Sequence, residues 1–208
     1  MEDVLSVYQR HADPECPVVC MDESSKQLIA DFKTPLPAKP GEIQRYDYEY
    51  IRHGVANLFL FFSPLENKRW IKVTARRCRK DWALAMQELA DQVYPDKEKI
   101  VIVLDNLNTH SPQSFYETFE PEEARRLCER FEFHYTPKHG SWLNMAEIEF
   151  SALFRQCLGR RIPSMETLTR EVNAWYKHRN ELSVGIDWRF TTEDARIKLK
   201  RLYPLIQL

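Results

Sequence analysis

The sequence has no long apolar run, no excess of one charge sign, no regular cysteine framework, no internal repeat and no low-complexity tract. Each absence removes a class of protein. The longest informative apolar run, Leu58-Phe59-Leu60-Phe61-Phe62, falls far short of the roughly 20 residues that a membrane helix needs, so no membrane partner is expected. Thirty Lys+Arg against 31 Asp+Glu leave a formal charge of -1, which argues against a protein that coats nucleic acid indiscriminately. Five cysteines (Cys16, Cys20, Cys78, Cys128, Cys157) are an odd number at irregular spacing, and no basic-apolar-small signal segment opens the chain. Disulfides are therefore not expected, and a reducing cytoplasm is the expected compartment.

What is present is a globular composition: 208 residues, 43% hydrophobic and 12% aromatic, enough for one well-cored domain. Cations bunch at Arg76-Arg77-Cys78-Arg79-Lys80, at Arg160-Arg161 and from Arg196 to Arg201, and acids gather from Glu117 to Glu123. Each bunch reads first as a solvated face.

Ile100 to Leu104 is a continuous β-branched and apolar run without polar alternation, as in a strand covered on both faces, and it ends in Asp105 and turn residues. Open α/β sheets place their chemistry at such strand tips, although Asp105 is equally readable as an Asx-type turn residue. Val18 to Glu23 is a second such run, so Asp22 also reads as the end of a strand. Val55–Phe62 and Trp70–Thr74 form a hairpin across a turn-rich span, and Phe131–Tyr135 alternates as a fifth strand. Three prolines (Pro35, Pro37, Pro40) and Gly41 between Asp31 and Tyr50 mark a long irregular excursion. Asp81 is a candidate cap for a helix whose apolar stripe is Trp82, Ala85, Leu89 and Val93. Ser111-Pro112 and Pro121 start two more, Asn144 opens one to about Leu158, Pro163-Ser164 one to about Asn180, and Thr192 caps a last one to about Tyr203. The expected fold is α/β, a mixed five-stranded sheet flanked by helices, with 1–17 as a lead-in, 18–160 as the core and 161–208 as a helical C-terminal extension of the same domain.

The third informative acid is Glu147. Leu143, Glu147, Phe150, Phe154 and Leu158 form one ridge of an ideal helix, which sets a carboxylate among residues expected to pack on the sheet, with Glu149 as the ordinary surface acid. Such a carboxylate is costly unless a cation meets it. The alternative is that Asn144 and Glu147 form a capping box. Taken with Asp22 and Asp105, three acids gathered at one site raise one another's pKa, and a divalent cation relieves the repulsion. All-oxygen ligation suits Mg²⁺ or Mn²⁺, and two such ions roughly 4 Å apart clamp the attacking and leaving oxygens of a phosphoryl displacement.

Asp22, Asp105-Asn106 with His110 beyond, and Leu143-Asn144-Met145-Ala146-Glu147 resemble the catalytic signature of DDE transposases, specifically the bacterial insertion-sequence branch of the mariner superfamily. Asp47 to Tyr50, Pro137 to Asn144 and Trp188-x-Phe190 are similar to that branch too. The match runs from about Pro17 to Tyr203. Two departures stand out: Met-Ala replaces the family's usual Pro-Ile before the last acid, and the Asp105 to Glu147 interval is longer than in eukaryotic mariner relatives. The resemblance implies an RNase H-like fold and two Mg²⁺ or Mn²⁺ ions held by Asp22, Asp105 and Glu147, without a small-molecule cofactor. It also implies cleavage of DNA with transfer of the freed 3′-hydroxyl, transposon ends and target DNA as partners, a homodimer in the active complex, and a place at the bacterial nucleoid. Family members carry an N-terminal helix-turn-helix region, and this chain reads as the catalytic half alone. A nuclease without strand transfer, and an inert remnant that only binds DNA or self-associates, remain alternatives.

Lys138, His139 and Trp142 precede the Glu147 helix, where a cation and an aromatic ring can grip a flanking nucleotide. Arg155, Arg160 and Arg161 are candidate phosphate contacts. His110, His134 and His139 are candidates for phosphate contact or proton transfer, against the plainer reading of structural histidines. Cys16, Cys20, His134 and His139 have ligand-like pair spacings, but no compact finger joins them.

Overall fold

The computed structural model describes residues 1–203; the last five residues of the expected extension, 204–208, lie outside the described residues. Five strands, β1 (Val18–Asp31), β2 (Tyr50–Ser63), β3 (Lys68–Thr74), β4 (Ile100–Leu104) and β5 (Phe131–Tyr135), form one sheet in the order β3-β2-β1-β4-β5. The β1-β2 and β2-β3 pairs are antiparallel; β1-β4 and β4-β5 are parallel. The mixed five-stranded sheet is thus as the sequence predicts. One consequence positions everything else: β3, β1, β4 and β5 all run in the same direction, so the loops after β3, β4 and β5 open on a single edge.

Two expectations about the strands change. β1 does not stop at Glu23 but continues to Asp31, and β2 begins at Tyr50 rather than Val55. Asp22 therefore lies within a strand instead of ending one. The polar residues after Glu23 pair with β2 alone, beyond the reach of β4, whose pairing with β1 stops at Cys20 and Val103. Solvent can then reach this half of the hairpin, which accounts for a polar sequence in a regular strand.

Period-two alternation splits the central strands between two cores. On one face Val18, Cys20, Leu58, Leu60, Phe62, Val101 and Val103 pack with α1 (Glu2–Tyr8), α5 (Met145–Leu153), α6 (Met165–Glu181) and α7 (Thr192–Lys198). On the other, Val19, Met21, Phe59, Phe61, Ile100, Ile102 and Leu104 meet α2 (Arg79–Glu88), α3 (Pro112–Tyr116) and α4 (Pro121–Arg130). Val4, Leu5 and Val7 of α1 are fully part of the first core. No helix of the described residues is long and apolar enough to cross a membrane.

Helix ends depart from the ideal in a consistent way. α2 continues into a π-helical turn, Leu89–Val93, and α5 into another, Phe154–Leu158. The wide turn leaves Val93 exposed and buries Tyr94 in its place, five residues after Leu89. Asp81 caps α2 from inside: it sits at the third helical position and accepts from the Cys78 backbone N–H at 3.0 Å, Cys78 being the N-cap. The last helix starts at Thr192 with Thr191 as its cap.

Candidate active site

The register of the parallel pair locates the first two acids. Cys20 pairs with Val103, so two residues further along each chain Asp22 comes level with Asp105, just past the end of β4. Asp22 belongs to the even-numbered face of β1, with Val18 and Cys20, and α5 covers that face. Burial pushes the Asp22 carboxyl up to about 7, with the charges of Glu147 and Asp105 adding to the shift and a Glu23 N–H donated to Asp22 Oδ1 at 2.7 Å opposing it. Asp22 thus senses both other acids, one from each neighbouring element.

On α5 the structure corrects the sequence reading. The stripe facing the sheet is Met145, Ala146, Glu149, Phe150 and Leu153, while Glu147 is exposed. Leu143, which the predicted ridge took as helical, belongs to the preceding 3₁₀ turn (Ser141–Leu143), so the helix phase begins later. Leu153 and Leu158 return to the core at the five-residue spacing of the π turn. Glu149 is no surface acid. It is 1% exposed and receives Arg69 Nε at 2.9 Å and Arg179 Nη2 at 3.0 Å. Arg69 in turn donates to the Asn180 side chain and the Val184 carbonyl. A buried carboxylate paired this way pins α5 to β3 and α6.

No capping box forms at Asn144, yet Asn144 matters more than that reading allowed. Its Oδ1 accepts from Ala146 N–H at 3.1 Å, and its Nδ2 donates to the Met21 carbonyl at 2.7 Å. The side chain is 1% exposed. One amide therefore caps α5 and ties it to β1 at the residue before Asp22, which sets Glu147 above the two aspartates. Tyr8 adds a second tie, donating its hydroxyl to the Leu143 carbonyl at 2.7 Å.

His110 is buried behind Asp105, stacked on Trp82 with ring centroids 5.7 Å apart. Its Nδ1 lies 2.5 Å from Asp105 Oδ1 and its Nε2 3.5 Å from Glu23 Oε2. Burial works against its charge, but the hydrogen bond to Asp105 and the nearby Glu23 carboxylate prevail and hold its pKa up to about 9. The ring thus fixes the rotamer of Asp105. His134 is structural, with Asp3 on Nδ1 and Glu132 on Nε2.

Lys138 and His139 are exposed and line a groove of about 430 Å³ with Asp105, Asn106, Leu107, Thr136, Pro137 and Ser141. The loop is tightly wound: His139 has φ 62°, and a Cβ on Gly140 would stand 2.6 Å from Pro137 Cγ. Trp142 is 45% exposed, edge-on to Phe190. The other three candidates lie away from the acids. Arg155 is exposed on the π turn after α5, Arg160 pairs with Glu171, and Arg161 pairs with Asp31 while donating to the Asp47 and Glu49 carbonyls. Arg161 thereby anchors the excursion between β1 and β2. The sequence marks Asn144 as a cap but not its tie to β1, and Glu23 and Glu149 carry no distinctive signal beyond the buried spacing of Glu149 from Met145 and Leu153.

Among the described residues no three His, Cys, Asp or Glu side chains stand within common reach of one metal ion. The donor chemistry nevertheless fits a hard dication. Asp22, Asp105 and Glu147 offer oxygen only, and the raised pKa of Asp22 is the electrostatic cost that such a cation would relieve.

Sheet order, strand directions and helical layers define an RNase H-like α/β domain. Residues 17–169 match the family described as DDE superfamily endonuclease, and the chain belongs to that family. A comparison with curated proteins gave no match. Similar solved structures include the Mos1 transposase paired-end complex with left transposon end, at TM-score 0.57 and 14% identity, covering 87% of this chain and 55% of that one. The Mos1 strand transfer complex is similar at TM-score 0.53 and 12% identity, over 86% and 53% of the two chains. The Mos1 mariner paired end complex with Mn gives TM-score 0.53 and 14% identity, over 86% and 54%. These likenesses concern the fold, and the chain spans just over half the length of those transposase chains.

Proposed function

We propose that the chain is the catalytic domain of a DDE transposase of the bacterial insertion-sequence branch of the mariner superfamily, cleaving DNA at transposon ends and transferring the freed 3′-hydroxyl to target DNA. The observation that carries this reading is the level placement of Asp22 and Asp105 on neighbouring parallel strands, with Glu147 held over them by Asn144. These three carboxylates would hold two Mg²⁺ or Mn²⁺ ions. When bound, such a pair supplies charge stabilisation to the attacking and leaving oxygens of an in-line displacement. The chain's own residues bind and orient. Lys138 and His139 offer positive charge and hydrogen bonds to phosphate beside Asp105, Trp142 offers a ring face to a neighbouring base, and His110 keeps Asp105 from swinging away. Membership in an endonuclease family and a fold shared with transposase–DNA complexes support DNA as the substrate. A homodimer in the active complex and a place at the bacterial nucleoid belong to this same reading. That no three acids of the described residues stand within common reach of one metal ion favours, as a second reading, an inert remnant that only binds DNA or self-associates.

Wild type and Asp105→Asn separate these readings. Thermal unfolding with Mn²⁺ at a hundredfold excess over its Kd should stabilise wild type by about 2.7 kcal/mol and the variant little. A duplex with a free 3′-hydroxyl should then be joined to target DNA by wild type alone. Cleavage without joining points to a plain nuclease, and indifference of wild type to Mn²⁺ overturns the enzyme reading.

A further inference from the structure

The basic run after β3 is unused by the site described so far, yet topology delivers it to the same edge. β3 runs parallel to β1, two strands away, so the 75–78 loop leaves the sheet on the edge that carries Asp22 and Asp105. Lys138 and His139 leave on the same edge after β5, at the opposite side of the sheet. The acids thus lie between two loops, each bearing cations.

Partners of the cations in this loop and in the first turn of α2 distinguish them. Arg79 pairs with Glu117 and is held on α3. Arg77 reaches Glu23 at 3.4 Å, the same carboxylate that faces His110. It tethers the loop to the strand that carries Asp22. Arg76 and Lys80 are exposed and have no ion-pair partner among the described residues. Asp81 already occupies the start of α2, accepting from the Cys78 N–H, so attraction for an anion here comes from the two free side chains rather than from the helix end.

A protein of net charge -1 that presents three carboxylates to a polyanion must offset their repulsion locally. Two strand spacings of about 4.8 Å separate β3 from β1, and the register Asp22–Leu60–Ile71 sets Arg76 five residues further along the strand direction at about 3.3 Å each, so the loop lies on the order of 20 Å from Asp22. At about 3.4 Å of rise per nucleotide along one strand, that distance corresponds to phosphates several nucleotides from the one over the acids. We propose that Arg76 and Lys80 form a second phosphate-binding rim, gripping the DNA backbone on the side of the acids opposite Lys138 and His139, so that the scissile strand crosses the edge between two cationic loops. The inference rests on DNA being the substrate, and it assigns a contact that carries no base information.

The test is the binding of two labelled duplexes of unrelated sequence by the full chain across a KCl series. It compares wild type, Arg76→Ala/Lys80→Ala, and Lys97→Ala/Lys99→Ala, the last pair removing the same charge ahead of β4 on the opposite edge. The rim variant should bind both duplexes more weakly and to the same degree. Its slope of log K against log [KCl] should fall by about 1.8, or about 0.9 for each lost phosphate contact, while Lys97→Ala/Lys99→Ala tracks wild type. Unchanged affinity and slope in the rim variant overturn the proposal while leaving DNA as substrate. Equal losses in both variants overturn it too, since they report net charge alone. Absence of DNA binding by wild type at low salt overturns the nucleic-acid reading itself, and this proposal with it.

Discussion

At the level of single residues the site is a balance of charge. Asp22 is raised to about 7 by burial first, and then by Glu147 and Asp105, whereas an Asp in an unfolded chain titrates near about 3.9. Between those values the folded protein holds a proton that the unfolded chain has released, so stability falls as pH rises through that window. Asp22→Asn removes the charge and should abolish the part of this fall that Asp22 causes, leaving the shallower fall above about pH 6.5 that the raised His110 contributes. In EDTA, wild type should melt at a lower temperature at pH 8 than at pH 5, and the variant should melt higher than wild type at pH 8 with little difference at pH 5. A wild-type melting temperature that rises over this range would contradict the placement of Asp22 between two acids. Asp22 and Asp105 were legible in sequence because apolar runs end at each of them. The extension of β1 beyond Glu23 was not, because its polar residues pair with β2 where β4 has already stopped.

At the level of elements, α5 is the part whose placement decides the site. Its existence, its Asn144 cap and its acid were readable; its rotation was not. A ridge drawn at ideal helical spacing from Leu143 to Leu158 crosses a 3₁₀ turn at one end and a π turn at the other, and each changes the phase. The same error assigned Val93 to the core in place of Tyr94. The outcome inverts Glu147 and Glu149, with Glu149 the buried anchor to Arg69 and Arg179. Glu149→Ala leaves two guanidinium groups facing an empty site and should cost about 3–5 kcal/mol in chemical denaturation. Arg69→Met and Arg179→Met combined with Glu149→Leu should recover most of that loss, since apolar side chains of similar volume replace the whole buried charge cluster at little cost. A Glu149→Ala variant as stable as wild type would mean that α5 is held by its apolar contacts alone.

For the molecule as a whole, the two ends of the described chain converge behind the site. Tyr8 bonds the Leu143 carbonyl and packs edge-on to Trp188 at 5.3 Å, Trp188 donates to the Phe190 carbonyl, and Phe190 meets Trp142. Glu2 and Arg196 complete the contact at 2.8 Å. Tyr8→Phe removes one hydroxyl from this chain of contacts. It should cost about 1 kcal/mol and speed hydrogen exchange at the Ala146 N–H, which the Asn144 cap holds. Unchanged exchange there would separate α1 from the placement of α5.

The meeting of α1 with α7 also sets a clock. Val4, Leu5 and Val7 share their core with Ala195, so the first helix emerges from the ribosome long before its cover exists. At about 5–20 residues per second, the wait is on the order of ten to forty seconds. During synthesis the nascent chain carries the apolar residues Val4, Leu5 and Val7 without the core that later covers them. The edge that bears Asp22, Asp105 and Glu147 gains its rear support only when translation has passed Arg196.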